Sequence, residues 1–456
     1  MRKIILIVSS VILLSTGIFA ANTKNISSVT KQDVQELNKL SDPKSVQSAS
    51  DTIDDWAHSA IKKFGINEFG EHNGKFFFFA SQSVSLMPSD PQFGDALVNA
   101  YDKALMKLQN EYIMARSGKV IIHKIKELHQ DNSTNANDIE LPAPSTKGFL
   151  GKVLKIFDKT LDVTNKKLDS ELIKLGTSPQ ELAQMTPSMK KNTYKDEFLK
   201  NIIHTASEQI AGLFPIQTSL AKDANGQYVV GIIAVASQKT IQIAKDISLQ
   251  RSTLIKGKGK KVEDLLPAEP KDYISTFGVR LSYDLDGTPM IISYGVGSYT
   301  PNSGDSYIND QLKSEAKDNA ISNADGQIAE IVNGYMNAQE SRKNGEEIKK
   351  YVQRKMKPNS DTIEKTIKNI VKITNNRAKS HASMSLKGIS TVKTWRYTTD
   401  KGVKFVGAVR VWKYESLSAV NNFNNEKYKS AKSKTKKPTY KKSLSVSKPV
   451  NDVNDF

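Results

Sequence analysis

The chain has 456 residues, 38% of them hydrophobic, and no cysteine. It can therefore bury a sizeable core without disulfides, while thiol nucleophiles, cysteine zinc sites and anchoring through a lipidated cysteine are excluded. The formal charge is +18, but only nine of the 66 basic residues are Arg, the residue best suited to bidentate phosphate recognition, so this basicity does not by itself mark a nucleic-acid reader.

Arg2 and Lys3, the apolar stretch Ile4 to Ile18 and the small pair Ala20-Ala21 have the layout of a secretory signal peptide over residues 1–20, cut after Ala20. A retained membrane anchor, the competing reading, needs about 20 apolar residues. Residues 21–50 are polar, lack an apolar period and are expected to be a flexible leader. From Asp51 to Phe64 the pattern changes. Ile53, Trp56, Ala57, Ala60, Ile61 and Phe64 fall on one helical face, with Asp51 placed to cap the helix and Gly65 to end it.

Phe64-Gly65-Ile66 followed by Asn73-Gly74 matches Phe277-Gly278-Val279 followed by Asp286-Gly287 without a gap. Asn-Gly and Asp-Gly are hairpin turns, because both central positions accept positive φ. Each is followed by a strand, Lys75 to Leu86 and Thr288 to Tyr299, and then by a long helix with alanines four residues apart: Ala96, Ala100 and Ala104, then Ala316, Ala320 and Ala324. Such a stripe allows close approach to a sheet, and Gly231 and Gly407 are the expected points of contact. A ligand groove is the alternative use of the stripe.

A second correspondence closes each unit. Gly212, Thr218, Gly226, Val230, Gly231 and Val235 recur 176 residues later as Gly388, Thr394, Gly402, Val406, Gly407 and Val411. These are the six identities among 26 gap-free positions, and Ile216/Val392 keeps its apolar character. The chain therefore reads as a duplicated module. Its fold class is α+β: two copies of a hairpin-helix-helix-hairpin unit, each an antiparallel sheet with helices on one face. Module 1 spans residues 51–237 and module 2 spans 272–414, joined by a connecting helix and the basic loop Gly257 to Lys261 within 238–271.

The first copy carries about 44 extra residues between its alanine helix and its closing hairpin, placed at about 147–190. Leu150, Leu154, Phe157, Leu161, Leu168, Leu172 and Leu175 there follow near-heptad spacing, interrupted by Thr164. Fewer than four clean heptads favours an insert folded back on its own module over a protruding helix that meets a partner. Residues 415–456 form a Lys/Ser-rich tail expected to be disordered. Lys427, Lys429, Lys432, Lys434, Lys436, Lys437, Lys441 and Lys442 are its candidate anionic-surface contacts.

The stretch Gly278-Val-Arg-Leu-Ser-Tyr283-Asp-Leu-Asp286-Gly287-Thr-Pro289-Met-Ile-Ile-Ser293-Tyr-Gly295, with the alanine helix after it, resembles exported bacterial proteins of unknown function. More loosely, the strand, its Gly-x-Gly end and the helix are similar to small modules of Gram-negative envelope proteins such as the N-terminal domain of flagellar assembly protein T. The resemblance implies an envelope or secreted location and no known chemistry. The missing lipidation cysteine departs from the lipoprotein members.

The motifs with chemical content read as structure. His123, Glu127 and His129 stand at i, i+4 and i+6 and do not share a helix face. Asp284-x-Asp286-Gly287 lacks the remaining oxygen ligands of a calcium loop. Gly295-Val-Gly297 has no third glycine, and Ser59-x-x-Lys62 has no partner motif. No cofactor or metal is expected. The expected role is that of a non-enzymatic exported protein, periplasmic, outer-membrane-associated or secreted, that binds another envelope protein or a cell-surface polymer. An exported hydrolase using carboxylates such as Asp54/Asp55 or Asp305/Asp310 is the first alternative. A cationic protein holding an anionic polymer or membrane surface through its tail is the second.

Overall fold

A computed structural model of the chain describes residues 48–90, 92–130, 148–163, 167–208, 210–249, 251–301, 304–331, 365–372, 388–399 and 402–416, with Pro142 and Ile363. The signal peptide, residues 21–47 of the leader, Thr164 and all eight tail lysines lie outside the described residues. In chain order the elements are α1 (Ala49–Lys63), β1 (Gly70–His72), β2 (Lys75–Ser83), α2 (Phe93–Gln130), α3 (Phe149–Val163), α4 (Leu168–Lys174), α5 (Pro179–Gln184), α6 (Pro187–Glu208), β3 (Phe214–Lys222), β4 (Tyr228–Ala236) and α7 (Gln238–Ser248). They continue with α8 (Val262–Leu265), a 3-10 turn (Pro270–Ile274), β5 (Gly278–Tyr283), β6 (Pro289–Tyr299), α9 (Ser306–Ile331), β7 (Ile389–Thr398) and β8 (Lys404–Lys413).

The strands form two four-stranded antiparallel sheets with the same topology, β1-β2-β4-β3 and β5-β6-β8-β7. The α+β class and the paired sheets agree with the reading of the sequence. The duplication extends to irregularities: β3 bulges between Pro215 and Gln217 against β4, and β7 bulges between Thr391 and Lys393 against β8, again 176 residues apart. Correspondence between the opening hairpins is looser. Ser81 pairs with Gly231, whereas Gly407 pairs with Val296 rather than with Tyr294, the counterpart of Ser81. The slip is two residues, an even number, so every side chain keeps its face of the sheet.

Three of the four hairpins turn alike. Gly226, Gly287 and Gly402, at φ of 85, 80 and 84°, donate their N–H to Asp223, Asp284 and Thr399, three residues earlier. This is the longer hairpin loop that needs glycine in the left-handed region. At Asp286 the expected positive φ is absent; its carboxylate instead accepts from the Thr288 N–H and hydroxyl at 2.8 and 2.6 Å. Among the described residues, only Asn73-Gly74 places both turn residues at positive φ, 52 and 76°.

Helix α1 begins two residues before the expected cap. Ser48 is the N-cap, accepting from the Asp51 N–H at 3.1 Å, and Asp51 reaches back to the Ser48 N–H at 3.3 Å, a reciprocal capping box. The expected contact of the alanine stripes with Gly231 and Gly407 is corrected by the structure. A Cβ on Gly231 would meet Ile53 and Trp56 of α1, and one on Gly407 would meet the Trp395 indole. The stripe of α9 lies instead on Gly295 and Gly297 of β6, where Cβ atoms would stand 1.9 and 2.2 Å from the Ala320 and Ala316 carbonyl oxygens. Ser293 also faces α9, donating to Gln327 Oε1 at 3.1 Å.

One hydrophobic core runs through both modules, from Phe77 and Val235 through Tyr101 to Val279 and Trp412. A second, helical core joins the distal half of α2 to α3, α4, α5 and α6. The leucines of the insert are used there: Leu150, Leu154, Phe157, Leu161, Leu168 and Leu172 are buried, so the insert folds back on its own module. Ile367, Ile370 and Val371, from the second copy, enter the same core.

Candidate functional site at the module junction

The polar residues that the fold draws together lie where β3 meets β5. Arg280 alternates with apolar residues along β5 and is 1% exposed. Its Nη1 donates to the Val279 and Phe277 carbonyls at 2.8 and 3.2 Å, and its Nη2 to Thr218 Oγ1 at 2.6 Å. Thr218 Oγ1 in turn donates to the Ser275 carbonyl at 2.9 Å, while the Tyr101 hydroxyl accepts from the Val279 N–H at 3.3 Å. The Gly212 N–H donates to the Ile331 carbonyl at 3.2 Å, tying the start of the β3–β4 hairpin to the end of α9.

A charge in such a place is costly unless its donors are bonded; both terminal nitrogens of Arg280 are, while its buried Nε has no hydrogen-bond partner among the described residues. Burial lowers the Arg280 pKa, against which the Tyr101 and Tyr294 hydroxyls act. Burial pushes the Tyr294 phenol up to about 12, opposed by Arg280, and raises Tyr101 further. Both phenols are therefore neutral donors or acceptors at physiological pH; Tyr294 donates to the Leu265 carbonyl at 3.1 Å. Between α2 and α9 lies a partly open cavity of about 80 Å³ lined by Val98, Asp102, Ser322, Asn323, Gly326 and Gln327. Pockets for small ligands hold about 300–1,000 Å³, so this space fits a few waters rather than a substrate.

The carboxylates considered for hydrolysis do not converge. Asp54 and Asp55 are exposed neighbours on α1. Asp305 caps α9, accepting from the Tyr307 and Ile308 N–H groups at 2.9 and 3.1 Å, and Asp310 stands 3.9 Å from Lys313. His123 pairs with Glu127 at 3.1 Å on the exposed face of α2. Among the described residues no group of three His, Asp or Glu is placed to hold a metal ion, and no helix is long and apolar enough to cross a membrane.

Reasoning from sequence missed Arg280. Its signal was a lone arginine in an apolar strand, in a chain with nine arginines. The candidate lysines of the tail, Lys427 to Lys442, are outside the described residues.

Residues 153–249, from α3 to α7, match the family profile described as Domain of unknown function (DUF6844). No curated protein matches the chain. The crystal structure of the hypothetical protein FTT1539c from Francisella tularensis is similar, at 21% identity and a TM-score of 0.50, over 85% of this chain and 94% of that one. That likeness concerns the fold alone.

Proposed function

We propose that this chain is a non-enzymatic protein of the bacterial envelope, exported by its signal peptide, whose joined modules form a platform for another envelope protein or a cell-surface polymer. The observation that carries the non-enzymatic part is the use made of the polar residues: Arg280, Thr218 and Tyr101 are spent on joining the modules, and Asp305 on capping a helix. The export part rests on Arg2, Lys3, the apolar stretch from Ile4 and Ala20-Ala21. Cell fractionation with N-terminal sequencing tests the reading. The mature chain is expected outside the cytoplasm and starting at Ala21; a cytoplasmic chain that retains Met1 would overturn it.

A second reading, contact with an anionic surface, has its own observation. Residues 252–261 run beside the β5–β6 turn, with Gly257 N–H bonded to the Gly287 carbonyl and Lys260 N–H to the Tyr283 carbonyl, both at 2.9 Å. Alternation turns Leu254, Lys256 and Lys258 outward, and exposed Leu285 lies on the adjoining turn. Basic and apolar side chains together suit an anionic lipid surface. Co-sedimentation with vesicles of phosphatidylglycerol, compared with phosphatidylcholine alone, separates this reading from the first.

A further inference from the structure

The receiving edge at the module junction is built twice and filled once. In the first module β3 is buried along almost its whole length, with Ile216 and Thr218 at 3% and 0% exposure. What buries it includes the leading edge of the second module, through Ser275 and Arg280. In the second module β7 repeats the construction. Gly388 has the same φ as Gly212, 90°, the bulge recurs at the same offset, and Val392 and Thr394 stand where Ile216 and Thr218 stand. Here, however, Val392 is 40% exposed, and Ser390, Thr391, Thr394 and Arg396 are exposed with it. An outer strand left open in this way is a template for pairing.

The internal contact joins unlike edges, trailing edge of one module to leading edge of the next. A contact of that type does not close on itself and can be repeated. The leading edge of the first module is the counterpart of the surface that fills β3. Gly65 corresponds to Gly278, and both are left-handed, at φ of 73 and 78°. Residues 66–69 lie outside the β1–β2 ladder, and Asn67 and Glu68 are exposed. Exposed Glu68 on the leading edge is opposite in charge to Lys393 and Arg396 on β7. The two edges are not identical, with Lys62, Glu68, Phe69 and Gly70 standing where Ser275, Leu281, Ser282 and Tyr283 stand, and one difference bears on the hydrogen bond to the receiving edge. Asn67 replaces Arg280, so the hydroxyl of Thr394 would receive a shorter, neutral donor, and a neutral hydrogen bond contributes less than a charged one.

We propose that this chain associates head to tail with a second copy of itself, the β7 edge of one molecule receiving the Gly65–Gly70 edge of the next. The contact is weaker than the intramolecular one and reversible. Because it joins different edges, association extends beyond dimers as concentration rises, and high salt weakens it.

The absence of cysteine makes the test direct. Full-length Asn67→Cys and tagged full-length Thr394→Cys are prepared separately, mixed and mildly oxidised. A disulfide-linked heterodimer of one tagged and one untagged chain is expected, with each variant alone remaining uncrosslinked. Homodimers of Thr394→Cys alone would indicate two-fold β7 pairing and overturn the proposal, as would homodimers of Asn67→Cys alone. In parallel, sedimentation velocity on the natural chain should show mass rising with concentration, and Val392→Glu, at an exposed position, should abolish the rise while circular dichroism stays unchanged. A natural chain monomeric up to about 10-fold above the concentration used for crosslinking, with no heterodimer in the mixture, overturns the proposal and leaves the envelope assignment, tested by fractionation, untouched.

Discussion

A Cβ atom on Gly295 would lie 1.9 Å from the Ala320 carbonyl oxygen. That distance makes the α9–β6 contact a contact between backbones, and it explains why alanine repeats every four residues on the helix and glycine every two on the strand. A flexible side chain can move aside; a helix carbonyl can do so only if the helix moves. Gly295→Ala and Ala320→Leu are each expected to cost ~1 to 3 kcal/mol by overpacking, read from urea unfolding midpoints. Unchanged midpoints in both would show that the helix is free to retreat.

At Gly231 the obstruction is a side chain, and the expected behaviour differs. The built Cβ meets Ile53 Cγ2 at 2.7 Å and Trp56 Cζ3 at 2.9 Å. Gly231→Ala and Ile53→Ala should each destabilise, but the double variant should be less destabilised than their sum, because the smaller side chain admits the new methyl. Coupling between touching residues is about 0.5–3 kcal/mol. Strict additivity in a double-mutant cycle would count against the contact.

Arg280 is expected to behave as a joint between modules. Its Nη2 bonds to Thr218 across 62 residues of chain. Thr218→Val and Arg280→Met should show a coupling of about 1.5–3 kcal/mol, the range for hydrogen bonds to charged groups. Arg280→Lys should also destabilise, since a single ammonium cannot reproduce a planar fork directed at two carbonyls and a hydroxyl. Equal stability of the Lys variant and the natural chain would remove the fork geometry from the explanation.

Glu171 contributes to the pH dependence of the helical core. Burial alone would raise its carboxyl, but Lys124 and Lys174, at 2.6 and 2.7 Å, hold it below its ordinary value of 4.5. A carboxyl whose pKa is lowered on folding adds stability above the unfolded-state value and loses it as pH falls through the folded-state value. Glu171→Gln should therefore be less stable than the natural chain at pH 7, and the difference should shrink and vanish as pH falls from 4.5 through the lowered folded-state value. A difference that persists below that value would point to packing instead of charge.

The tail has a prediction of its own. Residues 421–450 carry nine lysines against Glu426 as the single acid. Deleting residues 421–456 is expected to leave the melting temperature nearly unchanged and to abolish retention on an anionic matrix at low salt. Retention of the truncated chain at the same salt concentration would move the basic surface to residues 252–261.

The sequence by itself determined the features that depend on a few neighbouring residues. Glycines 226 and 402 mark equivalent turns because a left-handed position is a local requirement, and their constant offset reveals the duplication. The leucines from Leu150 to Leu172 announce a buried helical face because helical period is local too. Tertiary structure decided which surfaces those elements meet. Nothing near Gly231 or Gly407 says that one faces Ile53 and the other Trp395, since both partners come from elements distant along the chain or across the sheet. Arg280 reads as one more charged residue until β3 is laid beside β5, where a guanidinium excluded from water finds its acceptors. The same holds for Ile216 and Val392. Their sequence contexts are equivalent, yet one is buried and the other is exposed, because among the described residues the second module lies against the edge of the first.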